Sequence, residues 1–245
     1  MHRILLVCCI GVNLLARFAF VSGSETSRGA WDLVLERLRE SGHTGCIHGL
    51  DEISWTDGVE AGIQALADRI GREEGTILVG HSLAGLFLPS IGEAIGATSE
   101  VYIAALIPQP GRSVFDQLLM GEEIFSRSWT EGYEGMRRST EPLISHRSFL
   151  EWHIFHDCPP QSAEQYWTKA DLPLRAIYEM SYPAPNMRKN SHFIVCTGDR
   201  TLRASAQQLS SELSQCVSVS TIETGHCPHI AAPGRLAELI LSLTA

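Results

Sequence analysis

The sequence is poor in positive charge, poor in aromatic residues, and without any apolar run long enough to cross a bilayer. Its 245 residues carry 19 Lys and Arg against 28 Asp and Glu, a formal charge of −9. Binding to nucleic acid depends on clustered cations, so a general nucleic-acid partner is excluded. No C-x-x-C pair occurs, and the seven cysteines are odd in number and scattered, from Cys8 and Cys9 to Cys227. That excludes a disulfide framework and the common zinc and redox pairs, and favours a reducing compartment. Repeats, low-complexity tracts and phosphate-cradling glycine loops are also missing. His153, His156 and Asp157 come nearest to metal-ligand spacing, but in a tract that reads as ordinary helix. No cofactor and no metal are expected.

What is present suits one enzyme-sized domain. A 44% hydrophobic content over this length is ample for a sizeable core, and too apolar for a disordered chain. The first residues stand apart. Met1-His2-Arg3 ahead of Ile4 to Ala16 has the form of a basic and then an apolar signal region, although the run, at about 12 residues, is too short for a membrane span. Residues 1–17 are therefore expected to be an extension or a secretory signal segment ahead of a domain spanning 18–245. A cytoplasmic location is the leading expectation, with secretion following if the segment is a signal. Any cleavage should fall before about Arg17.

From there the pattern alternates. Phe18 to Val21, Thr44 to Ile47, Thr76 to Val79, Val101 to Ile107, Phe193 to Cys196 and Val217 to Ile222 read as strands. Ala30 to Ser41, Trp55 to Ile70, the stretch up to Ile95, Ala204 to Leu213 and Pro233 to Leu243 read as amphipathic helices. Near-continuous apolar strands between such helices predict an α/β fold, a mainly parallel sheet covered on both faces. Between about 110 and 191 the strand beat disappears and helix-like pieces take over, so this stretch is expected to be a helical lid insertion.

The strongest local signal is Gly80-His81-Ser82-Leu83-Ala84-Gly85, between a strand and a helix. A serine at the tip of a sharp strand-to-helix turn needs small neighbours, because the backbone closes in on both sides. Gly80 meets that need, and Ala84 replaces the usual second glycine. A serine hydroxyl needs a base and an orienting carboxylate to act as a nucleophile. In this architecture the order is serine, acid, histidine. His226 follows the strand to Ile222 and is preceded by Gly225. Its rival, His229, leads into the last helix and is read as a packing residue. Asp199 follows the strand to Cys196. Asp157 and Asp171 fall in the insertion, where a carboxylate is expected to hold no fixed position relative to the sheet.

With these residues the chain resembles the α/β-hydrolase superfamily, within it the compact branch of plant methyl-ester esterases, hydroxynitrile lyases and related bacterial hydrolases. The likeness runs from about Phe18 to Leu243 and includes Phe20-Val21-Ser22-Gly23, Leu78 to Gly85, Phe155-His156-Asp157-Cys158, Gly198-Asp199 and Gly225 to His229. It implies Ser82 as nucleophile, Asp199 as acid and His226 as base. It also implies an oxyanion hole built from the backbone N–H groups of Leu83 and Ser24. The family's His-Gly pair before the latter donor is Ser22-Gly23 here, a departure in the residue that usually organises the loop. The lyases carry threonine in place of that glycine and lysine after the catalytic histidine; Gly23 and Cys227 stand there, which argues against cyanohydrin chemistry.

The expected reaction is hydrolysis of a small to medium, apolar or aromatic carboxylic ester, such as a methyl ester or lactone, through an acyl-enzyme. Trp129, Trp152 and Phe155 are the candidate pocket residues. Two other readings compete: a non-hydrolytic enzyme of secondary metabolism on the same scaffold, and a degenerate hydrolase acting as a ligand receptor. Beyond the small-molecule ester, no partner is indicated, and a homodimer is left open.

Overall fold

The computed structural model describes residues 15–107, 109, 111–137, 147–168, 172–181 and 190–244. Residues 1–14, Pro110 and Asp171 lie outside them, and with them most of the expected leader segment. Among the described residues no helix is long and apolar enough to cross a membrane.

The chain alternates β1 (Arg17–Val21), α1 (Asp32–Glu40), β2 (Thr44–His48), α2 (Val59–Ile70), β3 (Thr76–His81), α3 (Leu88–Ile95) and β4 (Ser99–Ile103). Five helical pieces follow: α4 (Val114–Leu119), α5 (Arg127–Arg137), α6 (Arg147–His153), α7 (Ser162–Tyr166) and α8 (Leu174–Glu179). The alternation then resumes with β5 (Ser191–Cys196), α9 (Ala204–Leu213), β6 (Ser218–Ile222), α10 (Pro228–Ala231) and α11 (Pro233–Thr244). The six strands form one parallel sheet in the order β2-β1-β3-β4-β5-β6. β3 and β4 are buried along their whole length, whereas β6, at the sheet edge, alternates between covered and exposed residues. That contrast is the reason the inner strands read as unbroken apolar runs. The winding reverses between β1 and β3, so a crevice opens beyond the C-terminal ends of those two strands.

Most boundaries shift by one or two residues from the sequence expectation, and three of the differences have a clear physical cause. Arg17 belongs to β1 rather than to the extension: its guanidinium donates to the Ile70 carbonyl at 2.8 Å and pairs with Glu73 at 2.9 Å. α2 starts at Val59, not Trp55, because the Trp55 indole N–H turns back to the Leu50 carbonyl at 2.9 Å and Gly58 has a φ of 100°. β4 ends at Ile103, since Ala104 adopts a φ of 41°; Ala105 to Ile107 continue as buried loop. This loop packs behind the turn at Ser82, with the Leu106 N–H donating to the Ser82 carbonyl at 3.0 Å.

Gly85 is the tightest point of that packing. A Cβ there would lie 2.2 Å from the Leu106 carbonyl oxygen and 2.8 Å from the Ala105 Cβ. The obstacle is backbone, which cannot swing aside as a side chain can. Gly85→Ala is expected to destabilise the fold by roughly 1–3 kcal/mol. Urea denaturation measures this as a lowered midpoint at unchanged slope; an unchanged midpoint would contradict the packing described.

Candidate active site

Ser82 follows directly on β3 and has a φ of 54°, a left-handed backbone value unusual for a residue with a side chain. The neighbouring glycines explain how it is held. A Cβ on Gly80 would fall 2.2 Å from Leu88 Cδ1, and one on Gly23 would fall 2.8 Å from His81 Nδ1 and 3.0 Å from Ser82 Cβ. The backbone just after β1 thus comes close against His81 and Ser82, and the backbone before the turn close against Leu88, which glycine at both positions accommodates. Ala84 is buried and is not among the positive-φ residues, so alanine in place of the second glycine leaves the turn without extra strain.

The three residues expected to act together are brought into one hydrogen-bonded chain. Ser82 Oγ lies 2.9 Å from His226 Nε2, and His226 Nδ1 lies 2.8 Å from Asp199 Oδ2. The Asp199 and His226 side chains have no solvent exposure. Asp199 Oδ1 accepts the backbone N–H groups of Thr201 and Leu202, and Oδ2 accepts the Gln207 amide as well as His226. A carboxylate so bonded has one fixed orientation and must hold the Nδ1 proton on the imidazole, leaving Nε2 free to accept from the serine. Burial presses the His226 pKa down, but the charge and hydrogen bond of Asp199, with smaller help from Glu25 and Asp157, outweigh it and hold the imidazole above its ordinary value.

Beneath His226 lies a buried stack. His229 lies flat on Trp31 with ring centres 4.2 Å apart, and His81 packs edge-on against His229. His81 Nε2 donates to the His226 carbonyl at 2.7 Å, which ties the residue before Ser82 to the His226 backbone. Burial, then repulsion from His229 and His226, takes His81 well below the usual imidazole range; burial, then His226, takes His229 to about 3. Both rings are therefore neutral at pH 7. His81, Cys227 and His229 place ligand-capable atoms within 4.8 Å of one another. Burial raises the pKa of the Cys227 thiol, and His81 Nε2 is committed to the His226 carbonyl. Of the three residues with metal-like spacing, His153, His156 and Asp157, two turn to different partners: His153 Nδ1 donates to the Arg200 carbonyl, and Asp157 Oδ2 accepts from Gly225 N.

Of the remaining sequence candidates, Ser24 and Leu83 are both buried, Leu83 in the turn directly after Ser82. Trp129 and Phe155 are buried, and Trp129 packs on Phe149 at 5.0 Å. Trp152 is 57% exposed, with the Arg200 guanidinium 4.1 Å above its ring, so it sits on the surface beside the acid loop. Asp157 departs from expectation: far from lacking a fixed position, its carboxylate is bonded to the loop that carries His226. Sequence reading missed this contact, Gln207 and His81. Gln207 alone left a trace, as a polar residue on the buried face of α9.

A wholly parallel, helix-covered sheet with a strained serine turn, and with a histidine and an aspartate on later strand ends, defines the class of α/β-hydrolase proteins. The alpha/beta hydrolase family profile matches residues 19–239, and the chain belongs to that family. Among curated proteins none matches it by sequence. Among solved structures it is similar to polyneuridine aldehyde esterase, at 17% identity and a TM-score of 0.73 over 94% of this chain and 100% of the other. A pyrethroid hydrolase from Sphingobium faniae JZ-2 gives 16% and 0.70 over 94% and 97%. Tomato methylketone synthase I gives 19% and 0.66 over 94% and 98%. At such identities the likeness is one of fold.

The neutral histidine stack has a consequence for stability. An unfolded histidine takes up a proton below about pH 6.5. His229, held at about 3 when folded, cannot do so, and its share of the stability is present above that pH and lost as the pH falls. His229→Phe keeps a flat ring on Trp31 without the titration. Its unfolding free energy should fall less steeply from pH 6.5 towards pH 4 than that of the native chain, by up to about 1.4 kcal/mol per pH unit. Chemical denaturation across that range measures the two slopes, and parallel slopes would refute the assignment.

Proposed function

We propose that the chain is a serine-dependent carboxylic ester hydrolase acting through an acyl-enzyme. The observation that carries this reading is the unbroken chain from Ser82 Oγ through His226 to a fully bonded Asp199. In this reading Ser82 Oγ attacks the ester carbonyl carbon while His226 Nε2 takes its proton. The N–H groups of Leu83 and Ser24 receive the negative charge that develops on the carbonyl oxygen. His226 returns the proton to the leaving alcohol as the C–O bond breaks, leaving the acyl group on Ser82. Water then attacks that ester, giving its proton to His226, and the acid departs as Ser82 regains its hydrogen. Asp199 keeps the imidazole in the required tautomer and stabilises its charged form throughout.

The helices α4 to α8 form a cap over the site in this reading, with Trp129 and Phe155 supplying apolar lining. A small to medium apolar or aromatic ester, such as a methyl ester or lactone, is the proposed substrate class. Esterase and hydrolase names among the structural neighbours support the reaction class. A neighbour named as a synthase keeps non-hydrolytic chemistry on this scaffold as the second reading.

Ser82→Ala is expected to lower turnover of a panel of aryl, methyl and lactone esters by about a thousandfold or more. Intact mass should show one fluorophosphonate adduct on the native protein and none on the variant. Because His226 is held above its ordinary value, kcat/KM should fall as the pH drops through that raised value, with imidazolium unable to take the serine proton. Full turnover by Ser82→Ala would end this reading; products other than acid and alcohol would favour the second.

A further inference from the structure

The turn after α6, Phe155 to Pro159, belongs to the inserted stretch between β4 and β5, yet it is seated on the loop that carries His226. Asp157 Oδ2 accepts the Gly225 backbone N–H at 2.5 Å. The approach is close on every side: a Cβ on Gly225 would lie 2.4 Å from His156 Cε1 and 2.5 Å from Asp157 Oδ1. One residue further along, Cys158 Sγ lies 4.0 Å from the Cys227 carbonyl oxygen. The residues on both sides of His226 are thus touched by one short segment, while His81 holds the His226 carbonyl from the opposite side. Asp157 itself is largely exposed, so little of the core depends on it. Its bond to Gly225 is not needed to fill space.

We propose that Asp157 is a positioning residue for the base: its carboxylate fixes the Gly225 turn so that the imidazole meets Ser82, and adds a negative charge that favours the imidazolium formed during reaction. The proposal rests on the serine-hydrolase reading above. The groups that face His226 are Asp199 from the loop after β5, Glu25 from the loop after β1, Asp157 from the turn after α6, and the neutral His81 and His229. Among these Asp157 can be altered without removing a partner of the Ser82–His226–Asp199 chain. A shift of even 1 Å in a catalytic group can cost about a hundredfold in rate, so a lost loop tether should be visible in kcat.

Two variants separate geometry from charge. Asp157→Asn keeps an oxygen to accept the Gly225 N–H and loses the charge; Asp157→Ala loses both. The rate of fluorophosphonate labelling and the kcat/KM pH profile on an aryl ester are read for each, beside native protein and Ser82→Ala, with thermal melting as a check on folding. The expected result is labelling slowed about tenfold in Asp157→Ala with kcat falling more than KM rises. Asp157→Asn should stay closer to native in rate, and the acid limb should move to lower pH in both variants. Native labelling kinetics and an unmoved acid limb in both variants overturn the proposal. So does an equal loss in both that follows a lowered melting temperature with the limb unmoved, which marks a structural role only. If the native protein takes no label, or Ser82→Ala labels as well as native, the hydrolase reading itself has failed.

Discussion

Ser82 sits at a φ of 54° with backbone from β1 and the loop after β4 packed within a few ångströms, and most of the molecule can be understood as the means of holding it there. A residue with a side chain in that region costs about 1–3 kcal/mol, and persists only where the surroundings leave no alternative. The surroundings are a strand buried throughout on one side and a buried helix on the other. The Leu106 N–H captures the Ser82 carbonyl, so the strained residue cannot relax without breaking a buried hydrogen bond. Gly23, Gly80 and Gly85 are the three places where this arrangement tolerates no side chain. Relief of the strain would require moving β1, α3 or the β4 loop, each anchored in the core.

The electrostatics follow from the same crowding. A histidine as deeply buried as His226 would ordinarily be held neutral by desolvation, which would oppose the charged form a general base must adopt. Asp199 reverses the sign because its four hydrogen bonds hold its carboxylate in place against Nδ1. The two histidines beneath would oppose that reversal if they were charged. Their burial keeps them neutral, and the imidazole of His226 then faces carboxylates without a competing cation close by.

The residues legible in the sequence are those whose role is written in a few consecutive positions. Ser82 is announced by glycine on either side of a strand-to-helix turn, and Asp199 and His226 each follow an apolar run at its C-terminal end. The same short-range logic predicts the parallel sheet, because strands buried on both faces read as unbroken apolar stretches. It misplaces the end of β4, since Ala104 to Ile107 are as apolar as the strand they leave; their burial comes from packing against Gly85, not from strand pairing. It misjudges the start of α2 for a like reason, as Trp55 is buried against Phe87 and Gly62, with its indole bonded back to the Leu50 carbonyl, rather than by a place in the helix. Asp157 was illegible because its partner lies 68 residues away in sequence and no periodicity connects them. The ring of Trp152 suggests a pocket residue in the sequence, but it is exposed, and Arg200 stacked over it gives it a place on the surface.

The departure at Ser22, where related enzymes carry a histidine, is also resolved by distant contacts. The Ser22 hydroxyl is buried with no hydrogen-bond partner among the described residues, so the side chain does not take over the organising role. Backbone does. Ser22 N–H extends the ladder to the His48 carbonyl at 3.0 Å, Ser27 N–H donates to the Tyr166 carbonyl at 2.7 Å, and Thr168 N–H donates to the Glu25 carbonyl at 3.1 Å. Thr26 and Trp167 complete a short antiparallel bridge. Each such bond contributes on the order of 1 kcal/mol net. Two of these three bonds reach into the stretch between β4 and β5. That stretch also meets the acid loop, where Ser126 N–H donates to the Thr201 carbonyl and His153 to that of Arg200, and the base loop at Gly225. The loops after β1, β5 and β6, which carry Ser24, Asp199 and His226, are therefore each hydrogen-bonded to the stretch between β4 and β5 as well as carried on the ends of the sheet. A change in that stretch that moves one of these contacts acts on the placement of those loops at the same time.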